Sequence, residues 1–214
     1  MKDFQGLKIP TRIEDISRSD RMALVIYDMQ VGIVQQIADG PRIVDGCHKL
    51  IAAARQVGIR VFYTRHISLP SKSAGVAQIR RSMIWQRKEN PADTIAPFLS
   101  SSSQAAIVPE LKPQDTDVVI DKITMSAFES TYLNIALRDL GIQAFAIAGI
   151  ALDVGIEPTV RHGLDLNFIP VLVPEFCGSR TPEAHQHSIK TLESTGEVIS
   201  VTGQQLIESM VRLK

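Results

Sequence analysis

The chain has 214 residues with 23 basic and 23 acidic side chains, a formal net charge of zero, and 44% hydrophobic residues. A chain of this length fits one domain that buries roughly 70% of its unfolded surface, with no disulfide or metal needed to hold a core. The composition excludes a disordered chain and a nucleic-acid binder relying on bulk phosphate attraction, and no apolar run approaches the roughly 18 residues of a membrane span.

Taken in chain order, residues 23–27 (ALVIY) predict a buried strand, because a short run this rich in β-branched residues suits a sheet. From 42 to 57, Ile43, Val44, Cys47, Leu50, Ile51 and Ala54 recur at helical spacing, and Gly58 stands where a C-cap belongs. Residues 60–64 (RVFYT) form the next strand. Between 68 and 113, Pro70, Pro91, Pro97, Pro109 and Pro113 break the pattern. This stretch reads as an irregular excursion with one helix over 76–87, and long ordered connections are commonly functional. Alternation then resumes, with a strand at 117–120, a helix at 131–140 closed by Gly141 and a strand at 144–148 closed by Gly149. A helix at 155–166 carries Pro158 in its first turn, where proline is tolerated. The remaining elements are a strand at 169–173, a helix at 182–194, a strand at 197–201 and a helix at 203–211. Strands apolar on both faces, alternating with helices, predict an α/β, three-layer Rossmann-like fold. Its six-stranded, mainly parallel sheet lies in a single domain over 1–214, with the core at about 22–201.

Ligands of such sheets bind beyond the carboxyl ends of the strands. Asp28 follows the first strand, Lys122 ends the strand of VVIDK, and residues 149–155 (GIALDVG) lead from a strand into a helix N-terminus. Each also has a plain local role: a carboxylate can cap a turn, a lysine can be solvated, a glycine can serve backbone geometry. Their convergence on one sheet edge is what points to a site.

The blocks YDMQ, KITMSAFESTYLNIALRDLGI, AIAGIALDVGIEPTVRHGLDL and FCGSRTPEAH, in this order and spacing, resemble the isochorismatase-like hydrolase superfamily from about residue 22 to 201. The resemblance implies a Rossmann-like sheet, a site built on strand ends, a small-molecule substrate, and assembly as homodimers or higher homo-oligomers. It also implies a cis peptide at Ile150–Ala151. Most members are cysteine hydrolases whose thiol follows a segment like GIATDV, and the corresponding position here is Gly155. Cys47 falls on a helix with its periodicity toward the core, and Cys177 lies past the fifth strand, so neither replaces that thiol. Covalent amide hydrolysis thus lacks its attacking atom.

Isochorismatases resemble this chain at that position and cleave a vinyl ether without a covalent intermediate. On this reading Asp28 is the general acid or proton relay and Lys122 orients it and holds anionic groups. Backbone N–H groups at Ala151 and Gly155 bind negative charge. The alternatives are a catalytically silent ligand-binding relative and an amide or ester hydrolase using an activated water. Gln30 of the YDMQ block, Ile150, Ala151, Arg65 and Trp85 are the expected substrate-binding residues, the last two beside the excursion.

No cofactor and no metal are expected. Zinc-holding relatives carry an Asp-x-His pair where this chain reads YTRHISLP, leaving His66 alone, and His185 and His187 point in different directions on a helix. No phosphate-loop or dinucleotide fingerprint is present. The two well-separated cysteines and a mixed, charged first twenty residues predict free thiols, a cytoplasmic setting and no membrane association.

Overall fold

The computed structural model describes residues 1–212. The chain opens with a small antiparallel hairpin, β1 (Lys2–Phe4) and β2 (Leu7–Ile9), that the sequence reading did not anticipate. Its tight turn is carried by Gln5 and Gly6, both at positive φ.

The main sheet has six strands: β3 (Met22–Tyr27), β4 (Arg60–His66), β5 (Val118–Lys122), β6 (Ala144–Ile150), β7 (Ile169–Gly178) and β8 (Ile199–Ser200). Their order is β5-β4-β3-β6-β7-β8 and every neighbouring pair is parallel. The helices are α1 (Val31–Val34), α2 (Gly40–Gln56), α3 (Val76–Gln86), α4 (Leu133–Asp139), α5 (Glu157–Asp165), α6 (Pro182–Glu193) and α7 (Gly203–Val211). The expected α/β sandwich is therefore present.

Period-two alternation on β3 separates the two halves of the core. Met22, Leu24 and Ile26 face a cluster with Ile43, Cys47 and Leu50 of α2 and Leu206 and Met210 of α7. Ala23, Val25 and Tyr27 face the opposite cluster, with Leu133 and Leu137 of α4, Val160 of α5 and Leu192 of α6. All six β3 side chains are buried, as a strand covered on both faces requires.

Several boundaries shift for local reasons. The fifth strand of the sheet, β7, does not stop at residue 173: it continues through Pro174 to Gly178, past a register shift opposite 147–149. A proline inside a strand is accommodated at such an irregularity, and Cys177 thereby lies within the strand, paired with Gly149. The last strand shrinks to two residues. Before α5, residues 152–156 form a wide π-type turn in which the N–H groups of both Gly155 and Ile156 donate to the Ala151 carbonyl at 3.0 Å. Pro158 sits in the first turn of α5, as expected. The excursion contains α3 and otherwise only short 3₁₀ turns, and Arg87 closes α3 in a left-handed conformation (φ 53°).

Chain order along the sheet reverses between β3 and β6, because the connections from β3 run one way to β4 and β5, and those from β6 the other way to β7 and β8. The crevice outside the carboxyl ends of two such strands is where an open α/β sheet binds its ligand. Asp28 follows β3 directly and the Ala151–Gly155 turn follows β6.

Candidate active site

Asp28 terminates β3 in a left-handed conformation (φ 48°), which aspartate tolerates better than most residues. Its N–H donates to the Thr64 carbonyl (3.2 Å) and to Thr64 Oγ1 (3.1 Å). Thr64 Oγ1 in turn donates to Asp28 Oδ1 at 2.6 Å, and Lys122 Nζ donates to Oδ2 at 2.7 Å. The ion pair is almost wholly enclosed, with side chains 1% (Lys122) and 6% (Asp28) exposed. Lys122 also donates to the Thr124 carbonyl and lies 4.3 Å from the centre of the Tyr27 ring. Three adjacent strands therefore fix one carboxylate through donors alone. Burial lowers the Lys122 pKa, and Asp28 opposes the shift through its charge and hydrogen bond.

A cavity of about 130 Å³ opens beside this pair, lined among others by Asp28, Tyr27, Met125, Ile150, Ala151 and Gly155. A second, of about 300 Å³, lies under α3. Gln36, His66, Trp85, Phe98 and Arg180 line both, so the two form one continuous cleft with an inner and an outer chamber. Trp85 thus stands at the junction, tilted against His66 with ring centroids 6.4 Å apart. Burial, with Lys122 and Arg81 nearby, pulls the His66 pKa down to about 4, and the Asp28 charge only partly offsets this. The imidazole is therefore neutral at ordinary pH.

Of the residues expected to bind substrate, Ile150, Ala151 and Trp85 line the cleft, and the Ile150–Ala151 peptide is cis. Gln30 does not. Its side chain is fully enclosed: Nε2 donates to the carbonyls of His66 (3.0 Å) and Ala105 (3.1 Å), and Oε1 accepts from the His66 N–H (2.6 Å). With its amide consumed, Gln30 ties the end of β3 to β4 and to the excursion. Arg65 does not reach the cleft either. It points to the opposite face of β4 from Thr64 and His66, and makes a two-pronged ion pair with Asp121 at 2.6 and 2.8 Å. The Gly155 N–H is likewise engaged, by Ala151 O, so the donor expected there is already used.

Arg180, Phe98 and the run Ile33, Gln36 and Ile37 were not anticipated. The last three recur at helical spacing just after YDMQ, a readable signal, and Arg180 lies within the FCGSRTPEAH block. Arg180 makes no ion pair among the described residues. Thr64, in the segment YTRH, was also missed, although a threonine at a strand end adjoining a carboxylate is a natural donor.

No cysteine lines the cleft. Cys47 and Cys177 are both buried in the core. Burial raises the thiol pKa of Cys47, and that of Cys177 is pushed up to about 12. At position 155 the space a side chain would need is filled by Tyr27: a Cβ there would lie inside 3.0 Å of the phenol oxygen and two ring carbons. Among the described residues no three His, Cys, Asp or Glu side chains converge as metal ligands, and His66 has aromatic rings for neighbours, so the residues do not fit a zinc centre.

An open parallel sheet with a buried carboxylate–lysine pair at its switch point defines an α/β enzyme of the Rossmann-like type. The chain belongs to the isochorismatase family of hydrolases: the family's "Isochorismatase domain" model matches residues 22–203. An uncharacterised isochorismatase family protein of Escherichia coli O157:H7, YecD, is 31% identical over 78% of this chain and 85% of its own length. The ureidoacrylate amidohydrolase RutB of Acinetobacter baylyi is 25% identical over 82% of this chain and 78% of its own. A cysteine hydrolase from Pseudomonas syringae shares the fold, with a TM-score of 0.77 and 21% identity over 92% of this chain and 95% of its own.

Proposed function

We propose that this hydrolase cleaves a small anionic substrate of the enol-ether class without a covalent enzyme intermediate, using Asp28 and Lys122 to move the proton. The observation that carries the reading is the inner chamber itself: it presents Asp28 beside Gly155, the position that resembles the nucleophile's place in cysteine hydrolases, and no thiol lines it. In the proposed step, Lys122, whose hold on its proton is weakened by burial, passes that proton to Asp28 across the 2.7 Å contact as Asp28 delivers it to the substrate's methylene carbon. Water adds to the resulting oxocarbenium carbon and returns a proton to the pair. The hemiketal collapses to a ketone and an alcohol. Arg180, present in both chambers and without a carboxylate partner among the described residues, suits the substrate's anionic group. Trp85, Phe98 and neutral His66 supply the apolar wall.

The test is turnover of isochorismate and other enol ethers by the parent chain and by Asp28→Asn. Asparagine also tolerates the left-handed backbone, so the variant is expected to keep its circular dichroism and lose turnover. Unchanged turnover overturns the assignment. Arg180→Ala is expected to raise KM more than it lowers kcat.

A second reading is favoured by the ureidoacrylate amidohydrolases among the relatives: an amide cleaved by water that Asp28 activates. The donors on both Asp28 oxygens leave a carboxylate placed to accept a proton. ¹⁸O-labelled water separates the two, since the label enters a carboxylic acid in amide cleavage and a ketone in enol-ether cleavage. Tight small-molecule binding with no turnover in either class would mark a ligand-binding relative instead.

A further inference from the structure

We propose that Tyr27, rather than the glycine alone, sets the reaction type of this pocket: its phenol fills the space a side chain at position 155 would need, closing that position to a nucleophile and leaving the inner chamber to substrate and water. The inference rests on the reading of residue 155 as the nucleophile's place.

The contact is built so that neither partner gives way. Tyr27 is the last residue of β3 and its side chain enters the α5 half of the core, 2% exposed. The hydroxyl donates to the Met125 carbonyl, and the Lys122 ammonium lies over the ring, so both ends of the phenol are held. Opposite it, the π-type turn pins the backbone at 155. The N–H groups of Gly155 and Ile156 share the Ala151 carbonyl, and the Gly155 carbonyl accepts from Thr159 Oγ1 at 2.7 Å. The Thr159 hydroxyl itself accepts from the Ala127 N–H at 2.9 Å. A Cβ at 155 therefore meets a fixed ring from a fixed backbone. Gly46, Gly163 and Gly203 are likewise closed by an aromatic ring, whereas Gly75, Gly141 and Gly196 have open space; what sets Gly155 apart is that its ring, Tyr27, lines the cleft together with it. Burial keeps the phenol protonated, which leaves it a hydrogen-bonding wall and not a replacement nucleophile.

It follows that a cysteine introduced at 155 alone is crowded by the phenol and poorly presented to the chamber. Opening Tyr27 is the required partner change. A double-mutant cycle reads this without any substrate. Gly155→Ala is expected to lower the melting temperature by roughly 5 °C in the parent chain, the range for overpacking a rigid site in a chain of this size. In the Tyr27→Val background the same change is expected to cost about 1 °C or less. Equal losses in both backgrounds overturn the proposal, as does a Gly155→Ala single variant that melts with the parent.

A chemical readout tests the same point. In the Tyr27→Val, Gly155→Cys double variant, iodoacetamide is expected to form a thioether at residue 155 with loss of iodide, located by peptide mass mapping. The rate should exceed that of the Gly155→Cys single variant at least tenfold, while buried Cys47 and Cys177 stay unmodified. Equal rates in single and double variants overturn the proposal. Failure of enol-ether turnover would refute the proposed activity and leave this packing result standing.

Discussion

The inner and outer chambers of the cleft differ in what stands behind their walls. The inner one is bounded by strand ends and the turns that leave them directly: Tyr27 and Asp28 after β3, Ile150 to Gly155 after β6. The Asp28 carboxylate there is held by donors from two neighbouring strands, Thr64 on β4 and Lys122 on β5. The outer one is roofed by α3, which has no buried residue and leaves Val76 and Ile84 exposed. The contrast shows where the fold places precision. A charge that must keep its position to within a hydrogen bond sits on the sheet edge, and a wall that only shapes access is left to the excursion, whose limited burial gives it low local stability.

Removing Lys122 gives the most severe break of the inner chamber. Lys122→Met leaves Asp28 enclosed without its counter-charge, and losing one partner of a buried pair costs about 3–5 kcal/mol. Urea denaturation should show the midpoint fall accordingly, and a variant as stable as the parent would mean the pair is not sealed.

His66, at the junction, gives a pH signature. Its folded pKa of about 4 lies below the ordinary 6.5, so between these values the unfolded state takes a proton that the folded state refuses. Stability contributed by the neutral ring is present above pH 6.5 and is lost as pH falls toward 4, by roughly 3 kcal/mol in all. His66→Gln should flatten the fall by that amount between pH 7 and 4, measured as the difference in urea midpoints from the parent.

Gln30→Ala strips hydrogen bonds from two carbonyls and one N–H, with an expected loss of about 2–3 kcal/mol. Its readout also separates the two regions. Amide exchange should quicken at residues 66–68 and 104–106, while β3 and β6 keep their protection. Even in the parent chain, α3 should exchange well before either strand.

The smallest effect belongs to Arg65. Arg65→Ala removes a partly exposed ion pair outside the cleft, worth about 0.5 kcal/mol, and should leave substrate binding unchanged. A changed KM would move the wall of the cleft to the other face of β4.

The two arginines show why some of the site was readable and some was not. Arg65 seemed placed for binding because it stands beside the excursion, but strand phase turns residues 64 and 66 toward the site and 65 away. That phase depends on how β4 pairs with β3 and β5, which spacing alone leaves open. Arg180 is not evident in the sequence because the strand before it reads as ending at residue 173, seven positions earlier. The bulge opposite 147–149 carries β7 on to Gly178 and delivers Arg180 to the cleft mouth. Gln30 illustrates the opposite error: in the sequence its amide looks like a ligand group, and only three backbone partners from distant segments reveal a brace.

Local pattern determined the order of strands and helices, the carboxylate at the end of the first core strand, the lysine ending VVIDK and the glycine at 155, because each is set by periodicity or by residue type at one position. The tertiary structure decided what fills the space beside that glycine. Tyr27 and Gly155 are remote in the chain and meet only when β3 and β6 pair side by side, with Tyr27 opposite Gly149. Close packing across that junction is a property of two surfaces at once, so no single stretch of sequence contains it.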